Sequence, residues 1–300
     1  PSRPDDTTRA AARAPSRPRE ALELATSPVA LPAGLSRAAA VTDGTSILVL
    51  GGLAPTHQTT ARNLRLDPAA GAAATAGQLA VATHDAAAVR LGGSVFLFGG
   101  GAAAVTDAVQ QVEPSGSARV VGHLPAPRAD LRAVVVGDRA VIVGGYDGHH
   151  SLATVLSTAD GTHFSTVATL PRAVRYPAVA VIGQRVYVFG GEDGSSPVAD
   201  VQVVDVAAGT ATRIGQLPEP RGEAVAIAAG TRVWIAGGRT ANGIVASVVR
   251  WDTSTGTAGP GGSLPSPVAD AAAAVVGDTT YLVGGEYDAS VAGVTTARPR

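Results

Sequence analysis

The sequence predicts an all-β fold, a six-bladed β-propeller of four-stranded antiparallel blades that an N-terminal outer strand closes. A glycine pair follows an apolar segment at steps of 48, 45, 46, 47 and 47 residues, and so regular a period indicates a repeat architecture. No segment has helical periodicity, because apolar residues alternate or form short blocks bounded by Gly and Pro. The pairs begin at Gly51, Gly99, Gly144, Gly190, Gly237 and Gly284.

Each repeat is predicted to contain four short strands in the same order. The apolar segment before each pair, such as VYVFGG at 186–191, forms the second strand. An alternating segment such as VQVVDV at 201–206 forms the third strand, and a short segment ending in Leu-Pro forms the fourth. A glycine seven residues before each pair turns the first strand into the second. These hairpin glycines are Gly44, Gly92, Gly137, Gly183, Gly230 and Gly277.

The glycine pairs and the alanine-rich first strands have one physical reason in this fold. The second strand ends near the central axis, where neighbouring blades crowd. Glycine adopts backbone angles closed to other residues and brings no side chain to clash. The first strands, for example Ala38–Ala40, Ala86–Ala88 and Ala271–Ala274, supply the small side chains that a tapering ring requires.

The N-terminus is predicted to complete the last blade. After Gly284-Gly285 one further strand is expected, at about Val291–Ala297, so that blade lacks an outer strand. The segment Leu22–Val29 is followed by the Leu-Pro ending of the other outer strands, and we expect it to cover the exposed edge. Residues 22–300 are therefore expected to form a single propeller, and residues 1–21, rich in Arg, Pro and Ala, a disordered linker.

The composition excludes several kinds of function. The net charge of −1 argues against a nucleic-acid partner. The absence of cysteine excludes disulfides, thiolate metal sites and cysteine nucleophiles. No run of eighteen apolar residues is present, so no membrane span is predicted. The chain begins at Pro1, and we expect a signal peptide, an anchor or other domains to precede it.

The order of apolar strand, glycine pair, polar loop, strand and turn, at this period, resembles the kelch repeat. The resemblance covers about residues 22–297. Kelch repeats usually carry a Tyr about six residues after the glycines and a Trp further on, and here Trp251 in VVRWDT resembles the latter. The resemblance implies that the loops around the central channel line a ligand-binding face.

Equivalent positions of the repeats should form circles about the axis. The position fourteen residues before each pair lies in the loop before the first strand and holds Arg37, Asp85, Asp130, Tyr176, Glu223 and Asp270. The residue directly after each pair belongs to the same face, and these residues are Leu53, Gly101, Tyr146, Glu192, Arg239 and Glu286. With Leu53 and Gly101 left out, these are our ten candidate ligand-binding residues.

The two circles predict a mainly acidic ring with isolated arginines and tyrosines. We expect arginine to clamp a carboxylate and tyrosine to stack on a flat or sugar face of a polar ligand. The alternative is that these loops are polar because they face water, and that Asp beside Arg forms local ion pairs. Further polar residues expected nearby are Arg128, Arg132, Arg175, Arg221, His149 and His150.

Metal and covalent chemistry receive less support. Adjacent side chains on an extended segment diverge, so His149 and His150 do not predict a zinc site. No cofactor is expected, although carboxylates can hold Ca²⁺ in the channel. The calcium ligands would be Asp85, Asp130, Glu223 and Asp270. Neither a G-x-S-x-G motif nor a serine beside a suitable histidine occurs, and kelch-type copper oxidases need a cysteine that this chain lacks.

We therefore expect a non-catalytic, extracellular or cell-surface propeller that binds a protein, peptide or glycan through these loops. The alternative is a carbohydrate enzyme resembling sialic acid mutarotases, in which Glu223 with Asp130 or Arg37 would supply the acid and base. A third interpretation is an assembly module that packs through its blade edges.

Overall fold

The computed structural model describes residues 21–287 and 289–300. Within these ranges the chain forms six four-stranded antiparallel sheets and two short hairpins, with no helix. We call the sheets blades 1 to 6 in the order of their glycine pairs, and their strands inner, second, third and outer from the channel outward. Inner strands of adjacent blades contact each other around the channel at five of the six junctions. At the junction of blades 5 and 6, the backbone N–H of Asp270 donates to Glu223 O at 3.0 Å and completes the closed ring.

The strands of the blades, from inner to outer, have the following bounds. Blade 1 contains Ala39–Asp43, Ser46–Leu50, Arg62–Asp67 and Ala72–Gln78. Blade 2 contains Ala87–Leu91, Ser94–Phe98, Ala108–Val112 and Ala118–His123. Blade 3 contains Arg132–Val136, Arg139–Val143, Thr154–Thr158 and Ser165–Thr169. Blade 4 contains Ala178–Ile182, Arg185–Phe189, Asp200–Asp205 and Thr210–Gln216. Blade 5 contains Val225–Ala229, Arg232–Ala236, Ser247–Asp252 and Thr257–Ser263. Blade 6 contains Ala272–Val276, Thr279–Val283, Val294–Pro299 and Leu22–Thr26.

The hydrophobic core lies between neighbouring blades, because each sheet is apolar on both faces. Between blades 4 and 5, Phe189 meets the indole of Trp251 edge-on, with ring centres 6.1 Å apart. Gly215 of the adjacent outer strand makes room for this indole, since a Cβ there would lie 2.6 Å from it. The tryptophan that resembles the kelch signature is therefore a buried packing residue.

The predicted closure by the N-terminus is confirmed, with corrected strand ends. Leu22–Thr26 pairs antiparallel with Val294–Pro299 at the outer edge of blade 6. The outer strand ends at Thr26 rather than at residue 29, because Pro28 has no N–H to donate. The third strand begins at Val294 rather than at Val291, whose N–H instead binds Gly285 O at 2.7 Å.

The predicted linker lies almost wholly outside the described residues. Its last residue, Ala21, exchanges two backbone hydrogen bonds with Arg300, at 3.3 and 2.8 Å. The pairing that closes the ring thus starts one residue earlier than predicted. Among the residues described, no helix is long and apolar enough to cross a membrane.

Candidate functional site

The predicted circle is a ring of backbone hydrogen bonds at one end of the channel. In each of the six ring residues, the N–H donates to the carbonyl oxygen of its counterpart in the preceding blade, at 2.8–3.2 Å. Arg37 closes the circle by donating to Asp270 O across the junction of the first and last blades, at 3.2 Å. The ring residues are Arg37, Asp85, Asp130, Tyr176, Glu223 and Asp270. The predicted circular arrangement of these six residues is therefore observed, and their ligand-binding role stays a prediction.

All six ring residues have the left-handed backbone conformation, with φ between 50° and 58°. This conformation costs a non-glycine residue about 1–2 kcal/mol, and aspartate tolerates it better than most. Three ring positions are aspartate, but Arg37, Tyr176 and Glu223 have no such preference. The ring hydrogen bonds hold this strained geometry in place.

The second predicted circle lies on the same face, which we call the rim face. The residue after each glycine pair forms a β-bridge to the residue just before a ring residue. In blades 4 and 5 a two-residue hairpin, Glu192–Asp193 with Ser196–Pro197 and Arg239–Thr240 with Gly243–Ile244, starts at that position. The bridges join Leu53 to Ser36, Gly101 to His84, Tyr146 to Ala129, Glu192 to Arg175, Arg239 to Gly222 and Glu286 to Ala269.

The glycine pairs allow these loops to approach the ends of the second strands. Gly99 and Gly100 have φ of 60° and 89°. A Cβ on Gly99 would lie 2.1 Å from Arg128 O of the next blade, and one on Gly100 would lie 2.5 Å from His84 O of its own blade. Each glycine pair therefore lies between two of the loops that carry ring residues, one from its own blade and one from the next, and no space is left for a side chain.

A cluster of three side chains spans the channel mouth. Nη1 of Arg37, in blade 1, donates to the phenolic oxygen of Tyr176, in blade 4, at 2.9 Å. The Tyr176 hydroxyl donates to Oδ2 of Asp85, in blade 2, at 3.0 Å. Arg37 also pairs with this Oδ2 at 3.3 Å. Tyr176 and Asp85 are buried, whereas the Arg37 side chain is 26% exposed.

A second cluster centres on Arg175, which precedes the ring residue of blade 4. Its Nε donates to Glu192 Oε2 at 3.1 Å, and its Nη1 donates to Asp130 Oδ2 at 3.4 Å. Its guanidinium carbon lies 5.2 Å from the ring centre of Tyr146 and 5.3 Å from that of Tyr176. A ligand that stacks on these tyrosines, as the sequence predicts, would have to displace this guanidinium.

The third cluster contains Arg239, Glu223, Asp270 and Glu286. Arg239 donates to Glu223 Oε2 at 2.8 Å and to Glu286 Oε1 at 2.5 Å. Oxygens of the three carboxylates lie within 4.8 Å of one another, a spacing that would suit a hard cation. Arg239 already supplies positive charge to two of the three, so this donor set fits a metal poorly.

The calcium prediction named a different group of carboxylates. Of its four residues, Glu223 and Asp270 belong to the third cluster, whereas Asp85 and Asp130 lie outside the only group of metal-ligand spacing among the described residues. Calcium in the channel therefore stays a prediction, and the structure supplies a smaller set of ligands than the sequence predicted.

Burial raises the pKa values of the ring carboxyls and thereby favours their neutral form. It raises the pKa of Asp85 to about 7, and the neighbouring Asp130 adds to this shift. The pKa of Asp270 is raised well above its usual range, first by burial and then by Glu223 and Asp85. Burial also raises the pKa values of Asp130 and Glu223, although the arginines Arg175 and Arg239 oppose it. The charges that reach the surface of the ring are therefore chiefly those of arginine.

Two cavities meet at Arg37 and Asp85. A depression of about 530 Å³ lies on the rim face above blades 1 to 4. A channel cavity of about 230 Å³ lies below the ring between the inner strands. The polar side chains around the depression are Arg37, His84, Asp85, Asp130, Tyr146, Asp147, His149, Arg175 and Tyr176.

Arg128 and Arg221, expected near the ligand face, instead bind strand ends beneath it. Nη1 of Arg128 donates to Gly144 O and Thr154 O, at 2.9 and 3.0 Å. Nη1 of Arg221 makes the equivalent bonds to Gly237 O and Ser247 O, at 2.9 and 2.7 Å. Both side chains are buried, and burial lowers the pKa of Arg128 to about 10. These arginines stabilise the ends of the glycine-pair strands.

A six-bladed propeller with a glycine pair after each second strand has the architecture of a kelch propeller, a class that typically serves as a protein-binding module. A family model described as the KLHDC2/KLHL20/DRC7 Kelch-repeats domain matches residues 83–285, more than half of the chain. The chain therefore belongs to the kelch-repeat family.

A curated relative supports this assignment. Kelch-like protein 38 from Mus musculus is 30% identical over an alignment of 173 residues that covers 55% of this chain and 30% of that protein. The chain thus matches less than a third of the length of this relative.

Proposed function

We propose that this propeller is a non-catalytic binding module whose rim face binds an acidic peptide segment of a partner protein. The observation that carries this proposal is that the arginine side chains of the ring and rim are more exposed than the carboxylates with which they pair. The side chains of Arg37, Arg175 and Arg239 are 26%, 24% and 36% exposed. Their partners Asp85, Asp130 and Glu223 are only 5–6% exposed. At these three pairs a ligand approaching the rim face therefore meets guanidinium groups first, and the most exposed carboxylate partner of the three arginines is Glu286, at 22%.

Guanidinium groups in this position favour a ligand that carries carboxylates. Arginine binds carboxylate through two parallel hydrogen bonds, and a partner that is partly desolvated strengthens them. The depression of 530 Å³ is large enough for a few side chains of an extended peptide. A glycan is the less favoured ligand, because Tyr176 is buried and Arg175 lies against both Tyr146 and Tyr176.

The mutarotase alternative depends on free acid and base groups. Glu223 and Asp130 are buried, and each is bound to an arginine, Arg239 or Arg175. Raised pKa values suit a general acid, so the alternative keeps one supporting feature. Turnover in a sugar-anomerisation assay that Glu223→Gln and Asp130→Asn both abolish would overturn the binding module in favour of the enzyme.

The binding proposal is tested with a peptide array in which acidic, neutral and basic residues are exchanged at each position. We expect acidic peptides to bind, and fluorescence anisotropy with the best of them to show at least a tenfold weaker affinity for Arg175→Gln. The matched control is Arg185→Gln, at the opposite end of the molecule, which should leave affinity unchanged. Equal binding of basic peptides, or equal losses in the two variants, would contradict the proposal.

We also propose an extracytoplasmic location. The support is the segment 1–20, whose Pro, Ala and Arg content is typical of a tether between a surface module and its neighbour. Fractionation of cells that produce the complete gene product tests it, and recovery in the cytoplasmic fraction would contradict it.

A further inference from the structure

The channel cavity below the ring has the shape of a small-molecule site. Its volume of about 230 Å³ exceeds that of an engineered cavity of about 150 Å³ that binds benzene. Its walls are mostly alanine methyl groups from the inner strands, such as Ala88, Ala226 and Ala273. Its polar lining comes chiefly from Arg37, Asp85, Arg132 and Asp270.

Arg132 breaks the pattern of small residues in this wall. It stands two residues after the ring residue of blade 3, where the other blades carry only alanine or valine. Its Nη1 donates to the neighbouring Leu131 O at 3.2 Å, and among the described residues it has no ion-pair partner within 4.0 Å. The equivalent residues are Ala39, Ala87, Ala178, Val225 and Ala272. An arginine in a half-buried wall without a direct counter-ion is costly unless a ligand compensates it.

Two further polar atoms of this wall lack hydrogen-bond partners. Nε of Arg37 and Oδ2 of Asp270 are both buried, and they face each other at 3.5 Å without a hydrogen bond. An unpaired guanidinium N–H requires an acceptor. The carboxyls that act on the two arginines are Asp85, Asp130 and Asp270, and Glu286 lies 3.9 Å from Nε of Arg37. Burial raises the pKa values of the three aspartates, so they neutralise the two arginines incompletely.

We propose that the channel cavity binds a small carboxylate with a short apolar body, which the guanidinium groups of Arg132 and Arg37 hold. A cation is disfavoured because both arginines would repel it. The alanine walls accommodate an apolar body but offer it no hydrogen bonds. This site shares Arg37 with the peptide site proposed for the rim face, whereas Arg132 belongs to the channel cavity alone. The two proposals are tested through different residues, Arg132 and Arg175, so neither test decides the other.

A ligand would reach the cavity from the end opposite the rim face. There the cavity shares Val134, Val179 and Val275 with a wider mouth of about 740 Å³. At the rim, the bridge between Arg37 and Tyr176 spans the channel. A small carboxylate should therefore be able to reach Arg132 even while a peptide occupies the rim face.

The test is isothermal titration calorimetry with sodium butyrate, compared with butyramide, a neutral near-isostere, and with n-butylammonium chloride. We expect butyrate to bind at least tenfold more tightly than either. Arg132→Ala should weaken butyrate binding at least tenfold without loss of thermal stability, because this position is alanine or valine in every other blade. Ala226→Leu should abolish binding by filling the cavity, and Arg185→Ala should leave it unchanged.

Three results would overturn the proposal. They are no butyrate binding at millimolar concentration, equal binding of butyramide, and an Arg132→Ala variant that binds butyrate as the wild type does. Loss of butyrate binding in Arg185→Ala would show a non-specific effect of net charge and would also count against it. Acidic peptides on the rim face are measured separately, so failure of one proposal leaves the other intact.

Discussion

The guanidinium of Arg37 donates to the phenolic oxygen of Tyr176 across the whole width of the channel, at 2.9 Å. The two residues occupy the same repeat position in opposite blades, 1 and 4. The same phenol donates to Asp85 of blade 2 at 3.0 Å. The ring is therefore tied across its diameter by side chains as well as around its circumference by backbone hydrogen bonds.

Removing the hydroxyl of Tyr176 should destabilise the propeller. In Tyr176→Phe the buried Asp85 loses a donor and Arg37 loses an acceptor, so we expect a loss of about 1.5–3 kcal/mol in the free energy of unfolding. Urea denaturation monitored by tryptophan fluorescence measures this loss. The control is Tyr146→Phe, whose hydroxyl donates to Gly148 O at 2.8 Å in a half-exposed position and should cost about 0.5–1.5 kcal/mol. Equal losses in the two variants would show that the hydrogen bonds of Tyr176 across the channel contribute no more stability than an ordinary surface hydrogen bond.

The period of the glycine pairs was enough to predict the blades, their closure and the position of the ring. Because equivalent positions of a closed repeat lie on a circle, counting residues back from each pair located Arg37 and Asp270 side by side. Period alone carries no information about the direction of a side chain. For that reason the stacking role predicted for Tyr176 did not anticipate that two arginines lie against its ring.

The left-handed backbone of the ring could not be predicted for the same reason. Aspartate at three of the six positions is compatible with it, but arginine, tyrosine and glutamate at the other three do not indicate it. The strain follows from the ring hydrogen bonds, which form between residues far apart in sequence. The ends of the closing strands were also misplaced, since Pro28 and the contact of Val291 with Gly285 act on single residues.

The stability of the fold should decrease as the pH rises through 7, in part because of Asp85. Burial raises the pKa of this carboxyl from its usual 3.8 to about 7, so the folded chain binds the proton more tightly than the unfolded chain. The resulting contribution is complete below about pH 4 and is lost as the pH rises through 7. We expect this group to remove on the order of 1–4 kcal/mol between pH 5 and 8.

Urea denaturation at several pH values checks this expectation in the variant Asp85→Asn. The variant should show a flatter dependence of stability on pH between 5 and 8, whatever its absolute stability. The control is Asp205→Asn: the backbone N–H of Ala208 lowers the pKa of Asp205, so Asp205 is ionised throughout this range. If the stability of Asp85→Asn changes with pH as steeply as that of the wild type, Asp85 is not the cause of the pH dependence.

Alanine at the first glycine of a pair should be far more damaging than alanine at a hairpin glycine. Gly99 and Gly92 have nearly the same φ, 60° and 56°, so both substitutions carry the same conformational cost of about 1–2 kcal/mol. A Cβ on Gly99 would also lie 2.1 Å from Arg128 O, whereas one on Gly92 would have no atom within 4 Å. We expect Gly99→Ala to cost at least about 3 kcal/mol, or to prevent folding. Thermal unfolding of the two variants compares them, and similar melting temperatures would refute the crowding argument.

The N-terminal outer strand should contribute more to stability than the residues before it. Leu22–Thr26 pairs with Val294–Pro299, and Leu22 and Leu24 pack against the core between blades 5 and 6. Without this strand, the edge of the last blade is open and part of that core meets water. A chain that lacks residues 1–26 should melt at least about 10 °C lower than the whole chain, since each kcal/mol corresponds to about 2–4 °C at this size. A chain that lacks only residues 1–20 is the matched control and should melt with the whole chain. If the two truncations melt together, the strand does not hold the ring closed.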